Sequence, residues 1–154
     1  MLIVGTTYPD VLLGSWVSGN PSDQQLATLS VTAFKSLINP TLQKAYESVG
    51  GQFVDVTAAT GAYGPMTDTT TVDPYGVIPV PVAQVCDLTY YCALHDIHPN
   101  ADGYKLIADL VLQAYLVDSP ELCERLVDHA ATHPRAQPLV VRLVKGAYWD
   151  HEVV

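Results

Sequence analysis

The chain has 154 residues, of which 49% are hydrophobic and 15% charged, and its formal net charge is −9. Disordered chains combine low hydrophobicity with high charge. Nucleic-acid-binding proteins neutralise phosphates with many basic side chains, whereas this chain has 7 Lys and Arg in total. The composition therefore excludes a disordered chain and predicts no nucleic-acid partner. The length suits one domain that buries about two thirds of its unfolded surface.

The charge is distributed unevenly along the chain. Residues 1–118 contain 3 basic and 11 acidic side chains, whereas residues 119–154 contain 4 basic and 5 acidic ones. Such a shift in charge is typical of a boundary between two units. We therefore predict one unit at residues 1–118 and a second at residues 119–154.

Two short apolar runs, separated by a helical pattern, begin the chain. Leu2–Val4 and Phe53–Val56 are typical of buried parallel strands. Apolar residues recur at helical spacing between them, and Asn39-Pro40 should kink or divide that helix because proline removes a backbone donor. This order predicts a right-handed βαβ unit and an α/β fold.

The second half of the sequence is less regular. Residues 57–92 are rich in Gly, Pro, Thr and Tyr with almost no helical period, so we expect a long functional loop. An amphipathic helix is predicted from Asn100, and Ser119-Pro120 has the cap and first-turn proline of another. Leu139–Val144 is typical of a final strand.

The cysteines and the N-terminus bear on localisation. Cys86 and Cys92 are close enough in sequence to form a disulfide, which would indicate an oxidising compartment; two buried free thiols are the alternative. No run reaches the roughly 18 apolar residues of a membrane span. Met1 is followed by Leu-Ile-Val-Gly rather than by a signal peptide.

The densest group of reactive side chains is His95-Asp96-Ile97-His98, immediately before the predicted helix at Asn100. A histidine with a nearby carboxylate has the ingredients of a general base and its orienting acid. A hydrogen-bonded surface turn is one alternative. A metal site formed by His95, Asp96 and His98 is another.

A resemblance to a known family favours the catalytic interpretation. The run Asp96–Tyr104, with its Asp-Ile-His-Pro-Asn start, resembles the last conserved block of the SGNH hydrolases, also called GDSL lipases and esterases. Leu2–Asp10, Phe53–Val56 and Cys86–Cys92 resemble a strand and loop, a second strand and the disulfide-bearing loop of that family. The resemblance covers residues 1 to about 117.

The resemblance implies the C-terminal part of a secreted serine esterase or lipase that acts on a carboxylic or lipid ester without a cofactor or metal. The fold it implies is a partial three-layer, flavodoxin-like parallel sheet with flanking helices, followed by a helix–strand tail. It assigns His98 as the general base and Asp96 as the acid that orients it. In the family the acid usually stands three residues before the base, and here it is one position closer.

The nucleophile of that family is not found in this sequence. Gly14-Ser15-Trp16 is the only candidate, and it lacks the Asp of the family's Gly-Asp-Ser block. Acyl transfer requires an activated nucleophile and donors for the oxyanion. We therefore expect no hydrolysis by this chain unless a part that carries the serine is supplied.

The tail carries a second resemblance. Val141–Asp150, with the letters Arg-Leu-Val-Lys-Gly-Ala, resembles a barrel strand of proline dehydrogenase, a flavoenzyme. The resemblance implies that Arg142 and Lys145 approach the flavin. One strand of eight cannot close a (β/α)₈ barrel, so we expect no flavin site in this chain. A non-catalytic chain that self-associates through an exposed sheet edge is the third hypothesis.

Overall fold

The computed structural model describes residues 3–117, 119–135 and 138. These residues form an α/β fold of helices and two small sheets. In chain order the elements are β1 (Val4–Thr6), a 3₁₀ helix (Val11–Ser18), α1 (Pro21–Ala33), a π-helical turn (Phe34–Ile38), α2 (Asn39–Glu47), β2 (Gln52–Val54), α3 (Val56–Ala59), β3 (Thr69–Val72), β4 (Gly76–Pro79), α4 (Val80–Leu88), α5 (Tyr91–Leu94), α6 (Ala101–Val117) and α7 (Pro120–Thr132).

The predicted βαβ unit is confirmed. Strands β1 and β2 pair in parallel, with Gly5 opposite Phe53. Gly5 is required for packing, because a Cβ at this position would overlap the ring of Tyr46 in α2. The two strands and the helices between them bring the ends of both strands to one edge of the sheet.

The predicted division of the long helix is also confirmed. The helix passes through the π-helical turn directly before Pro40, where the backbone N–H of Asn39 donates to the carbonyl of Phe34. Proline cannot supply the next backbone donor, and an extra residue in the turn is a common response to such a gap. Asn20 caps the start of α1 by accepting a hydrogen bond from the amide of Ser22 at 3.1 Å.

The prediction of a long irregular loop over residues 57–92 is wrong. This segment contains α3, an antiparallel hairpin of β3 and β4, and helices α4 and α5. Strand β3 is rich in threonine and mostly exposed, so its sequence shows no apolar alternation. Threonine itself favours extended structure.

The flavodoxin-like arrangement is not found in the described residues, whose sheets have two strands each. The main core lies where the 3₁₀ helix, α1, β4 and α4 meet; its buried members are Leu13, Ala27, Ala62, Ile78, Val82 and Val85. A second cluster joins α6 to α7 through Leu116, Leu122 and Leu126.

Helices α6 and α7 begin where the sequence predicted. Among the described residues, no helix has the length and apolar character needed to cross a membrane. The predicted strand at residues 139–144 lies outside the described residues.

Candidate functional site

Asp96 and His98 form a close pair in the loop between α5 and α6. His98 Nδ1 lies 2.5 Å from Asp96 Oδ1, and the backbone N–H of His98 donates to the same oxygen at 3.0 Å. The backbone N–H of His98, followed by its side chain, lowers the pKa of Asp96 below its ordinary value of 3.8. The carboxylate therefore stays ionised at neutral pH and fixes one nitrogen of the imidazole.

The imidazole of His98 is open on its other side. Its side chain is 66% exposed, and no described residue forms a hydrogen bond with Nε2. A ring held at Nδ1 by a carboxylate and open at Nε2 can accept a proton from a molecule that reaches it. The geometry is therefore compatible with the predicted base and acid.

The start of α6 holds this loop in place. Asn100 Oδ1 accepts hydrogen bonds from the amides of Asp102 and Gly103, both at 3.0 Å, and so caps the helix. Asn100 Nδ2 donates to the carbonyl of Asp87 at 2.6 Å. The side chain of Asn100, two residues after His98, thus joins α6 to the end of α4.

The metal alternative gains no support. In the part of the chain that the structure describes, no group of three or more His, Cys, Asp or Glu side chains could hold an ion. The ring of His95 packs edge-on against Tyr91, with the ring centroids 5.8 Å apart.

The candidate nucleophile is engaged elsewhere. Ser15 lies in the 3₁₀ helix, and its hydroxyl donates to the carbonyls of Leu12 at 2.5 Å and Asp23 at 3.1 Å. No hydrogen bond joins Ser15 to His98 among the described residues. Its role is to connect the 3₁₀ helix to the first turn of α1.

The disulfide expected between Cys86 and Cys92 is confirmed. It joins the last turn of α4 to α5 and encloses residues 87–91. Cys92 is buried, and its sulfur packs against Gly14 of the 3₁₀ helix.

A second group of polar residues lies at the carboxyl ends of β1 and β2, and the sequence analysis did not select it. Asn39 Nδ2 donates to Tyr63 Oη at 2.6 Å, to Thr57 Oγ1 at 3.0 Å and to Asp55 Oδ1 at 3.2 Å. Tyr63 Oη donates to the other carboxylate oxygen of Asp55 at 3.0 Å. Asp55 directly after a parallel strand is a signal that could have found this group, since polar residues at that edge often bind ligands.

Most polar atoms of this group are paired within it, with one exception. Thr7 after β1 accepts the amide N–H of Thr57 at 3.0 Å, which ties the two strand ends together. Burial raises the pKa of Tyr63 to about 12, so its phenol remains protonated and donating at neutral pH. Asn39 Oδ1 is buried and has no hydrogen-bond partner in the described residues.

A family model matches part of the chain. The family model for proline dehydrogenase matches residues 85–154, a little under half of the chain. The match begins in α4 and includes Asp96, His98, α6, α7 and the tail. Neither the comparison with curated proteins nor the one with solved structures found a match.

The expectation of an SGNH hydrolase is wrong on this finding. The family model that matches is that of proline dehydrogenase, and its match includes the run Asp96–Tyr104, the most specific part of the hydrolase resemblance. That resemblance depended on several short, separate runs of residues, whereas the detected match is one continuous segment from Val85 to Val154. The esterase or lipase activity and the ester substrate are withdrawn with it.

The described residues do not fit a flavin. A (β/α)₈ barrel needs eight parallel strands, and the described residues contain one parallel pair. A cavity of about 500 Å³ between the β3–β4 hairpin and α4 contains Asp73 and Asp87 in its wall and no lysine or arginine. A flavin diphosphate would be repelled there. Arg142 and Lys145, which the tail resemblance assigns to the flavin, lie outside the described residues.

Proposed function

We propose that residues 85–154 are a segment of a flavin-dependent proline dehydrogenase and contribute to proline oxidation as part of a larger barrel. The match of the proline dehydrogenase family to these residues carries the proposal. Arg142 and Lys145 are the residues proposed to approach the flavin. Because the described residues offer no cradle for that cofactor, the remaining strands must complete the site.

An exchange of segments tests this proposal. Residues 85–154 of this chain replace the matching segment of an intact proline dehydrogenase, and flavin absorbance and proline-dependent dye reduction are measured. We expect a yellow, active chimera, because the segment supplies the strand and its cations. A chimera that folds by circular dichroism but binds no flavin would contradict the proposal.

Two further chimeras distinguish specific contacts with the flavin from a general effect of positive charge. Arg142→Ala with Lys145→Ala should weaken flavin binding by about tenfold or more, since charge-assisted contacts to an anionic cofactor are lost. Arg125→Ala with Arg135→Ala removes the same two positive charges from exposed positions of the same segment and should leave flavin binding unchanged. Equal flavin binding by both variants would count against the assigned roles of Arg142 and Lys145.

The native chain provides a separate test. We expect the purified protein to be colourless, because a single barrel strand with its cations cannot close the eight-stranded barrel that holds a flavin. Stoichiometric flavin absorbance after purification would overturn this part of the proposal.

Asp96 and His98 are proposed as a proton-transfer pair, with His98 as the base and Asp96 as its orienting acid. The observation that favours this role is the 2.5 Å separation between Nδ1 and Oδ1, with Nε2 open to solvent. A carboxylate on one ring nitrogen fixes the tautomer and stabilises the protonated ring. The chemistry requires only a substrate with a removable proton.

A probe that needs a base but no nucleophile tests this pair. In the elimination of 5-nitrobenzisoxazole, a base removes the ring C–H proton, the N–O bond breaks, and a coloured phenolate forms. His98→Ala should lower the rate by about tenfold or more, and Asp96→Asn should lower it less. His133→Ala, which removes the histidine directly after α7, is the control. Equal rates for all four proteins would contradict the proposed base.

Localisation is proposed from the disulfide. A bridge between Cys86 and Cys92 supports an oxidising compartment, because cytosolic thiols are kept reduced. Thiol alkylation of the protein in its own cells, before lysis, tests this point. Full alkylation of Cys86 and Cys92 would contradict it.

Self-association is proposed through the β1–β2 sheet. Each of the two strands has a neighbour on one side only among the described residues, and open strand edges pair readily with other strands. Light scattering after size-exclusion chromatography should give a mass above 16.6 kDa that increases with concentration. A constant monomer mass over the whole concentration range would contradict this proposal.

A further inference from the structure

The disulfide between Cys86 and Cys92 closes a small ring of backbone next to the Asp96–His98 loop. Within the ring, Thr89 Oγ1 accepts the amide N–H of Tyr91 at 3.3 Å and donates to the carbonyl of Val85 at 2.8 Å. Thr89 is buried. The hydrogen bonds of Thr89 thus stabilise the ring in addition to the disulfide.

One side of the ring pairs with the segment that carries His98. The amide N–H of Tyr90 donates to the carbonyl of His98 at 3.1 Å, and the amide N–H of Asn100 donates to the carbonyl of Leu88 at 3.0 Å. Thr89 and Pro99 form an antiparallel bridge between these bonds. The backbone position of His98 is thus set by residues 88–90.

The other side of the ring leads into the segment that carries Asp96. The amide N–H groups of Leu94 and His95 donate to the carbonyls of Tyr90 at 2.9 Å and Tyr91 at 2.8 Å. His95 ends α5 in the left-handed conformation, with φ of 54°, and directs the chain back towards His98. The segments that carry Asp96 and His98 are therefore both hydrogen-bonded to residues of the ring.

The ring is anchored to the 3₁₀ helix through Tyr91 and Cys92. A Cβ at Gly14 would lie 2.6 Å from the ring of Tyr91 and 3.1 Å from the sulfur of Cys92. The 3₁₀ helix and α5 are therefore in tight contact. By contrast, the side chains of Asp96 and His98 are 46% and 66% exposed. The pair lies at the surface, so the position of its segment depends on the hydrogen bonds to the ring and on the cap that Asn100 makes at the start of α6.

We infer that the Cys86–Cys92 disulfide positions Asp96 against His98, and that reduction of this disulfide by a dithiol separates the pair. This inference rests on the proposed role of the pair as a site and concerns its regulation. In the reduction, the dithiol gives two electrons and two protons. The S–S bond breaks, two cysteine thiols form, and the dithiol becomes a cyclic disulfide.

Hydrogen exchange of individual amides tests the inference in a Cys123→Ser background, so that dithiothreitol acts only on Cys86 and Cys92. Reduction should accelerate exchange of the Tyr90 and Asn100 amides by about tenfold or more, since both bonds join the ring to the His98 segment. The amide of Gln52, which donates to the carbonyl of Ile3 in the parallel sheet, is the internal control. Alkylation with mass spectrometry verifies that the bridge is open.

The pKa of Asp96, followed by carboxyl NMR, is the second readout. Reduction should raise this pKa towards its ordinary value, because the hydrogen bonds from His98 are lost. The variant Cys86→Ala with Cys92→Val, which keeps the cysteine volumes approximately, should reproduce both changes without a reductant.

Each outcome decides the inference. Unchanged exchange and an unchanged Asp96 pKa in protein with an open bridge would overturn it. Equal acceleration at Gln52 would also overturn it, because the bridge would then be a general stabiliser. Neither readout uses the elimination assay, so failure of the proposed base chemistry and failure of this inference are distinguishable.

Discussion

Gly103, in the first turn of α6, packs directly against the carbonyl oxygen of Leu88 at the end of α4. A Cβ at this position would overlap that oxygen and lie 2.9 Å from the Cβ of Pro99. The oxygen belongs to the backbone and the Pro99 Cβ to a rigid ring, so neither atom can rotate away. The close contact is what allows Asn100 to bridge α6 and Asp87 beside the Asp96–His98 pair.

We therefore expect Gly103→Ala to destabilise the protein. Alanine improves helix propensity by about 1 kcal/mol, but overpacking against fixed backbone costs about 1–3 kcal/mol or more. Urea unfolding should give a lower free energy of unfolding for this variant. Asp102→Ala, at the exposed neighbouring position, is the control and should cost less than about 1 kcal/mol. Equal stability of Gly103→Ala and wild type would contradict the packing described for α6.

The hydroxyl of Tyr63 connects Asn39 to Asp55 within the polar group at the strand ends. Tyr63→Phe removes one of the three acceptors near the buried Asn39 Nδ2 and removes the donor to Asp55 Oδ2, so the half-buried carboxylate is left short of a bond. We expect a loss of about 1–3 kcal/mol in the free energy of unfolding. Tyr104→Phe makes the same chemical change on a side chain that is 54% exposed, and it should stay within about 0.5 kcal/mol of wild type. Equal losses in the two variants would contradict the network.

The Asp96 carboxyl should titrate below its ordinary pKa of 3.8, because the backbone N–H and then the side chain of His98 stabilise its ionised form. His98→Ala removes the second cause and keeps the first, so the pKa should rise only in part. A group with a lowered pKa in the folded state stabilises the fold above its unfolded pKa, and that contribution disappears as the pH falls through the folded pKa. Carboxyl NMR titration measures the pKa directly. An identical pKa in His98→Ala would contradict contact with the side chain.

The sequence predicted the βαβ unit because its determinants are local. Apolar runs mark β1 and β2, and Asn39-Pro40 marks the break between α1 and α2. The hairpin of β3 and β4 was missed because β3 is mostly exposed, so burial imposed no alternation on its sequence. The turn residues Asp73-Pro74-Tyr75 between the two strands, followed by Gly76 at the start of β4, were the available signal.

The contact between Asp96 and His98 could be predicted because two residues of separation in a turn bring their side chains together. The group around Asn39 could not be predicted, because its members are distant in sequence and meet only when β1 and β2 pair. The hydrolase family was inferred wrongly for a related reason. A histidine and a carboxylate before a capped helix follow from general turn and cap chemistry, and such a run does not define a family.

Asp10 is buried at the start of the 3₁₀ helix, where Ser30 of α1 donates to its Oδ2 atom at 2.8 Å. Burial raises the pKa of Asp10, and hydrogen bonds from Ser30 and from the backbone at Leu12 and Leu13 offset only part of that effect. Its Oδ1 atom has no hydrogen-bond partner among the described residues. The charged form is therefore held in a site that favours the neutral acid.

This position should make the stability of the protein depend on pH. A group whose folded pKa is raised contributes stability that is fully present below its unfolded pKa and is lost as the pH rises through the folded pKa. Asp10→Asn is neutral at every pH and keeps an acceptor for Ser30. Wild type should therefore gain stability relative to Asp10→Asn as the pH is lowered from 7 towards about 4.

Urea unfolding at several pH values measures this difference. Asp102→Asn, at an exposed position in the first turn of α6, is the matched control, and its difference from wild type should not increase on acidification. A pH-independent difference between wild type and Asp10→Asn would mean that the Asp10 pKa is the same in the folded and unfolded chains. That result would contradict the burial of this carboxyl between the 3₁₀ helix and α1.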